Sequence, residues 1–93
     1  MILSFGDNET ERIWDGEVSR RMPIAIQSIT RRKLRMINSA RRLDDLRIPP
    51  ANRLDALKGD MKGQHSIRVN DQWRVCFRWS DAGVSDVQIV DYH

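Results

Sequence analysis

Two neighbouring stretches in the second half of the chain alternate between apolar and polar residues, and this pattern predicts a β-hairpin. For both apolar sets to share one face, residue 67 must oppose residue 75, so the connection holds an odd number of residues. We therefore predict a bulged three-residue loop, Asn70 to Gln72. The inward members of the alternation are His65, Ile67, Val69, Trp73, Val75, Phe77 and Trp79.

The same register places Arg68 directly opposite Arg74 on the second face of the hairpin. Like charges opposed across two strands destabilise the pair, and a bound anion would remove the conflict. Arginine suits this role because its planar, permanently charged fork makes bidentate contacts with phosphate. The alternative is that both guanidinium groups splay into solvent. The pattern indicates either a phosphate site or a solvated basic face.

Helical patterns fill the first half of the chain. Asp7 can cap a short helix that has acidic residues in its first turn and stops at Gly16. Pro23 suits the first position of a second, longer helix, because the missing amide hydrogen is not needed there. Apolar residues then recur at helical spacing. They are Ile26, Ile29, Met36, Ile37 and Ala40.

Strand patterns lie on both sides of these helices. Ile2 to Phe5 indicates a first strand, Leu54 to Leu57 another and Val84 to Val90 a last one, while Leu43 to Leu46 adds a helical turn before two prolines. This order predicts an α+β fold, with two helices packed on one face of a mostly antiparallel sheet of about five strands. We expect residues 1–93 to form a single domain.

The long helix has a polar side that is rich in arginine. A charged helix face is usually only solvated, but this one has few acids, so contact with nucleic acid is the alternative. The side carries Gln27, Arg31, Arg32, Arg35, Asn38 and Arg42. Lys62, Arg68 and Arg78 extend the set of candidate RNA- or ribosome-binding residues.

The net charge of +3 hides an uneven distribution of charge. Residues 1–19 hold five acids and one base, residues 20–62 hold twelve bases and four acids, and residues 63–93 hold three bases and four acids. Thirteen of the sixteen bases are arginine. An arginine-rich basic segment in a small domain points to a nucleic acid or an acidic protein as partner.

Composition narrows the class of protein. Forty per cent apolar and 31% charged residues are typical of a globular chain, and no run of about 18 apolar residues predicts a membrane span. We see no signal-peptide pattern at Met1, and the single Cys76 cannot form an internal disulfide. We expect a cytoplasmic protein without a membrane partner. Cys76 itself reads as a small strand residue rather than a nucleophile.

Most cofactor and catalytic motifs are missing from the sequence. One cysteine and two distant histidines make no zinc cluster, and no glycine-rich phosphate loop or hydrolase serine motif occurs. We expect no metal and no small-molecule cofactor. The chain end is the exception, because Asp91, Tyr92 and His93 bring an acid, a phenol and an imidazole together. The alternative is a frayed polar tail.

Several of these stretches resemble the HigB family of bacterial toxins. They are residues 52–54 (Asn-Arg-Leu), 57–59 (Leu-Lys-Gly), the hairpin 64–77 and the end 90–93 (Val-Asp-Tyr-His). The family belongs to the RelE-like superfamily, whose members cut messenger RNA on the translating 70S ribosome. The resemblance implies that activity for this chain, and a HigA-like antitoxin with a helix-turn-helix domain as its partner.

The resemblance also implies an active site. Lys58, Arg74, Asp91, Tyr92 and His93 fall where such toxins keep their active-site residues. One position differs, because some members have a histidine three residues before the lysine and this chain has Asp55 there. The implied enzyme is a metal-independent endoribonuclease in which the RNA 2′-hydroxyl attacks the scissile phosphate. The alternative is a non-catalytic nucleic-acid-binding module, or a corepressor that acts with an antitoxin.

Overall fold

The first helix forms where its capping residues predict it. The computed structural model of the chain describes residues 1–92. Helix α1 spans Asn8–Trp14, and the Asp7 carboxylate accepts a hydrogen bond from the Thr10 amide at 2.7 Å. The chain leaves the helix at Gly16, whose φ of +89° lies in the left-handed region. The predicted start and stop of this helix are confirmed.

The second helix, α2, is longer and carries most of the helical packing. After Pro23, a 3₁₀ turn spans Ile24–Ile26, and α2 then runs over Gln27–Ser39. Among the predicted apolar positions of this helix only Ile37 is fully buried and the rest are partly buried, whereas Leu34, which was not among them, is fully buried. Gln27, which the pattern placed on the polar side, is buried. Its side-chain oxygen accepts from the Ser19 amide, and its side-chain nitrogen donates to the carbonyl oxygens of Ser19 and Met22.

The described residues form one four-stranded antiparallel sheet in the order β1-β2-β3-β4. Its strands are β1 (Asp55–Ala56), β2 (His65–Arg68), β3 (Trp73–Ser80) and β4 (Gly83–Asp91). Ile67 pairs with Val75 and Arg68 with Arg74, so the predicted register and its three-residue loop are confirmed. Further 3₁₀ turns span Leu43–Arg47, Pro50–Asn52 and Gly59–Met61.

The apolar face of this sheet meets the helices. Most members of the alternation are buried there, together with Val84, Val87 and Ile89, whereas Trp79 is only partly buried. Each large apolar side chain contributes roughly 1.5–3 kcal/mol by leaving water. A buried hydrogen bond from the Ile89 amide to the Thr10 hydroxyl, at 2.9 Å, ties α1 to β4. The α+β fold predicted from the sequence is thus confirmed.

The first residues add isolated bridges rather than a fifth strand. Ile2 bridges Val84 and Phe5 bridges Val87, both in parallel to β4. Between these bridges Asp86 has a φ of +53°, and its amide donates to the Ser4 hydroxyl instead of a backbone carbonyl. The ladder is therefore interrupted. Within residues 1–92, no helix has both the length and the apolar character that a membrane span requires.

The N-terminal segment passes close to the backbone of β4 at Gly83. A Cβ at Gly83 would lie 2.7 Å from the Met1 carbonyl oxygen, which accepts the Val84 amide at 2.8 Å. We expect Gly83→Ala to lower the free energy of unfolding by about 1–3 kcal/mol more than Gly16→Ala does. Gly16 is the matched control because its φ is also positive, and a Cβ added there would meet no atom within 4 Å.

Chemical denaturation of both variants gives the two unfolding free energies. An equal loss in the two proteins would show that only backbone strain matters, and that Met1 does not pack against Gly83 in solution.

Candidate active site

A basic concavity of about 380 Å³ lies on the second face of the hairpin. It is formed at the loop end of β2 and β3, beside the start of β1 and the end of β4. Three arginines and one aspartate line it, so the charge of the lining is positive and favours an anion. The lining residues are Arg53, Arg68, Asn70, Asp71, Arg74 and Tyr92.

The two opposed arginines turn to different partners. Arg68 forms an ion pair with Asp71, whose side chain is 98% exposed. Arg74 donates from Nε to the Ser66 hydroxyl at 2.8 Å, and from a terminal nitrogen to the Arg53 carbonyl oxygen at 2.7 Å. The guanidinium of Arg74 is therefore held by two neutral oxygens, and neither of them cancels its charge.

Tyr92 closes one side of the concavity. Its amide donates to the Gln72 carbonyl oxygen at 2.5 Å, which fixes the backbone just beyond β4. The guanidinium carbon of Arg74 lies 5.9 Å from the centre of the Tyr92 ring, within cation–π range. Up to residue 92, the chain end is thus attached to the sheet rather than frayed.

Lys58 lies in a second depression next to this site, and Tyr92 lines both depressions. The lysine is exposed and directly precedes the Gly59–Met61 turn. A second shallow depression, also of about 380 Å³, is lined by Lys58, Tyr92 and the chain from Asp55 to Leu57. Asp55, the residue that stands in place of a family histidine, therefore shares a depression with Lys58 and Tyr92.

Asp91 lies on the other face of the sheet from Arg74. It pairs with Trp73 across β3 and β4, and it accepts a hydrogen bond from the Gln72 side-chain amide at 3.2 Å. A separate depression on the helix side is lined by Asp91, Trp73 and Arg21, among others. The structure thus places Tyr92 in both the Arg74 and the Lys58 depressions, whereas Asp91 lines a separate depression on the helix side. The predicted role of His93 falls outside the described residues.

The candidate RNA-binding residues differ in how free their side chains are. Arg31 is half-buried and donates from Nε to the Ile13 carbonyl oxygen at 2.9 Å. Arg78 forms an ion pair with Asp86 at 3.3 Å. Like Arg78, the residues Arg32, Arg35, Arg42 and Lys62 are exposed. Because they are exposed, the side chains of Arg32, Arg35, Arg42 and Lys62 can contact a partner without any rearrangement of the core.

Arg53 is the site residue that sequence reasoning missed. It has a left-handed backbone, with φ of 46° and ψ of 58°, which is uncommon for a residue other than glycine. Local propensity gave no sign of this conformation. Arg53 did lie in the Asn-Arg-Leu stretch that carried the family resemblance, and that stretch was the available signal.

Comparison with known proteins settles the family. A profile described as "RelE-like toxin of type II toxin-antitoxin system HigB" matches residues 3–93. The chain belongs to this HigB-like toxin family. It is 40% identical over 94 residues to Toxin HigB-1 of Vibrio cholerae, covering 100% of this chain and 98% of that protein. It is also 31% identical over 86 residues to an uncharacterized protein of Haemophilus influenzae, covering 91% of this chain and 85% of that protein.

Membership in the HigB-like family confirms the resemblance drawn from the sequence. This HigB-like chain is a toxin of a type II toxin–antitoxin system, and such a toxin has an antitoxin as its partner. Its two helices on a four-stranded antiparallel sheet agree with the RelE-like fold. In residues 1–92, no group of three or more histidine, cysteine or acidic side chains is arranged to hold a metal ion.

Cys76 lies on the same sheet face as Arg74 but is fully buried. Burial raises the pKa of the Cys76 thiol to about 11, although the charge of Arg74 acts in the opposite direction. At pH 8 only about one thiol in 10³ is then ionised, and the thiolate is the reactive form. We predict that an aromatic disulfide reagent labels Cys76 only when denaturant unfolds the chain, as measured by absorbance.

A control variant shows whether slow labelling comes from the burial of Cys76 or from an inactive reagent. Cys76→Ser/Ser80→Cys moves the single thiol to the exposed end of β3 and should react rapidly in the folded state. Rapid labelling of the folded parent protein would mean that Cys76 is accessible and ionisable.

Proposed function

We propose that this HigB-like toxin is a ribosome-dependent endoribonuclease that cuts messenger RNA during translation. The observation that carries the proposal is the concavity lined by three arginines, with the Tyr92 ring at its side and Lys58 in the adjoining depression. Cations there can hold a phosphate, while an aromatic ring can hold a base. These are the two contacts that a single-stranded RNA substrate offers.

RNA brings its own nucleophile to such a site. The enzyme must deprotonate the 2′-hydroxyl, stabilise the charge on the phosphorane and protonate the leaving oxygen. These three tasks can be performed by side chains alone, so we propose that the reaction is metal-independent. Arg74 and Lys58 would stabilise the charge, and Asp91 or His93 would move the protons. Asp55 is a further carboxylate in the depression that holds Lys58.

Arg74 is already oriented for this work before substrate binds. Within residues 1–92, its two hydrogen bonds use two of the five donors that a guanidinium carries. The other donors can bind the phosphate oxygens. Donors that are fixed in advance do not have to reorganise as charge develops, and such preorganised groups stabilise a transition state well.

The ribosome and an antitoxin complete the proposal. Arg32, Arg35, Arg42 and Lys62 are exposed cations outside the concavity, and we propose that they bind ribosomal RNA. The toxin would act in the cytoplasm, where mRNA is translated, as one RelE-like domain over residues 1–93. A HigA-like helix-turn-helix antitoxin would hold it inactive.

A second candidate function is a corepressor that binds nucleic acid without cutting it. The exposed cations of α2 favour it, because they lie outside the concavity. Induced expression with and without the neighbouring antitoxin gene separates the two functions. Growth arrest and cleaved mRNA in the absence of the antitoxin support the nuclease, whereas normal growth with intact mRNA supports the corepressor.

We predict that Arg74→Ala lowers the rate of mRNA cleavage on translating ribosomes by about 10²–10³-fold, because a preoriented charge-stabilising donor is lost. The fold should persist, since the guanidinium contacts a hydroxyl, a carbonyl oxygen and the exposed Tyr92 ring rather than the apolar core. Cleavage is measured by mapping mRNA ends over time, and folding by thermal melting.

Arg12→Ala is the matched control for Arg74→Ala. It removes the same charge from an exposed position on α1, where Arg12 pairs with Glu9. Its cleavage rate should equal that of the parent protein. A folded Arg74→Ala protein that cuts as fast as the parent would remove Arg74 from the active site.

Tyr92 tests whether the ring or its hydroxyl matters. If the ring stacks on a base, Tyr92→Phe should cut within about threefold of the parent rate, whereas Tyr92→Leu should lose about tenfold or more, given ~1–3 kcal/mol per stacked base. The same cleavage assay measures both. Equal damage from both substitutions would instead assign the phenol to proton transfer.

A further inference from the structure

Lys33 is a buried cation that the proposed chemistry does not use. It lies on α2 and is only 8% exposed. Its ammonium donates to the side-chain oxygen of Asn52 at 2.5 Å. Burial lowers the pKa of Lys33, and the nearby charges of Arg32 and Arg68 lower it further. Arg68 lines the concavity, so Lys33 is also within electrostatic reach of the candidate site.

Packing alone does not explain this lysine. Burial of an ammonium is costly unless the group is well paired, and an apolar side chain of similar length would fill the same space. Its partner Asn52 is fully buried as well. Apolar side chains at these two positions would need no such polar partners, and the position of the pair beside the site points to a role there.

Asn52 is held by several hydrogen bonds. Its side-chain amide donates to the Leu46 carbonyl oxygen at 3.2 Å and to the Ile48 carbonyl oxygen at 3.4 Å. Its backbone amide donates to the Pro49 carbonyl oxygen at 2.9 Å. Lys33 joins this turn to α2, and the Asn52 side-chain amide also contacts the Met36 sulfur of α2 at 3.8 Å. The Pro50–Asn52 turn is thus fixed to the long helix as well as to the chain before it.

Arg53 follows immediately and connects the turn to the site. Its backbone is left-handed, a conformation that persists only where the surroundings impose it. Its carbonyl oxygen accepts the 2.7 Å bond from Arg74. Asn52 is separated from that oxygen only by the Asn52–Arg53 peptide unit and the Cα of Arg53, whose left-handed torsions are held by the surroundings.

We propose that Lys33 is a positioning residue for Arg74: through Asn52, it fixes the Arg53 carbonyl oxygen that holds the Arg74 guanidinium in the concavity. Its effect on cleavage rests on the function proposed above. Its effect on the orientation of Arg74 does not, and that difference allows the two to be tested separately.

The orientation of Arg74 is read from the Nε–Hε cross-peak of its side chain in ¹⁵N-edited NMR spectra, assigned by its loss in Arg74→Ala. The test variants are Lys33→Met, which removes the ammonium and keeps the stem, and Asn52→Ala. Arg12→Met is the control, because it removes one exposed positive charge and leaves the turn intact. We expect the cross-peak to move or broaden in both test variants and to stay in place in the control. An unmoved peak in folded Lys33→Met overturns the proposal.

Cleavage kinetics provide the second measurement. Lys33→Met should lower kcat by up to about 10²-fold, the cost of misplacing a catalytic group, and leave KM for ribosomes nearly unchanged. In an Arg74→Ala background, Lys33→Met should change the rate by less than about twofold, because two residues that act as a unit are not additive. Full additivity of the two effects would show that Lys33 does not act through Arg74.

A double variant separates positioning from loss of stability. Lys33→Met/Asn52→Leu removes both members of the polar pair together, so neither a buried ammonium nor a buried amide loses its partner, although the Leu46 and Ile48 carbonyl oxygens lose a side-chain donor. Thermal melting shows whether it folds. We expect its Arg74 cross-peak to remain displaced and its cleavage to remain slow. Recovery of the parent peak position and cleavage rate would show that the Lys33–Asn52 pair contributes only packing and does not position Arg74.

The proposed function fails in a different way. If the parent protein does not cut mRNA, or if Arg74→Ala cuts as fast as the parent, the nuclease proposal falls, while the cross-peak still decides whether Lys33 positions Arg74.

Discussion

The register of the β2–β3 hairpin is the constraint on which the rest of the structure depends. With Ile67 opposite Val75, the large apolar side chains of both strands point toward the helices, and the arginines point the other way. A slip by one residue would exchange the two faces. Burial of Val75, Phe77 and their neighbours, at roughly 1.5–3 kcal/mol each, holds the register in place. The same energy therefore also holds Arg68 opposite Arg74.

The opposed arginines show how a fold can keep like charges close. Arg68 is drawn toward Asp71, and Arg74 is drawn toward Ser66 and the Arg53 carbonyl oxygen. Because the partners of Arg74 are neutral, its positive charge stays uncompensated next to the Tyr92 ring. The basic concavity results from this arrangement, and it is the feature on which the proposed function of this HigB-like chain rests.

The site is assembled from segments that are far apart in the sequence. Arg53, the residue after the Pro50–Asn52 turn, provides a carbonyl oxygen. Strand β3 provides Arg74, and Tyr92 follows the end of β4. Lys33, on α2, reaches the same turn from the other side. The long helix thus contributes a contact behind the site as well as apolar packing, and its buried lysine links the core to the candidate chemistry.

The sequence by itself determined the elements that rest on local patterns. Period-two alternation fixed the hairpin and its register, the Asp7 cap and Gly16 marked α1, and the Asn-Arg-Leu and Asp-Tyr-His stretches pointed to the family. Each of these depends on neighbouring residues or on one strand pair.

Only the tertiary structure decided which side chains meet. Gln27 is predicted on the polar side of α2, and Lys33 carries a charge, yet both are buried, because partners from other segments satisfy their polar groups. The left-handed backbone of Arg53 and the separation of Asp91 from Arg74 across the sheet are likewise imposed by long-range contacts. Periodicity indicates which face of an element a residue occupies. It does not indicate which residue will contact it there, because that residue comes from a distant segment and is positioned by the packing of the whole chain.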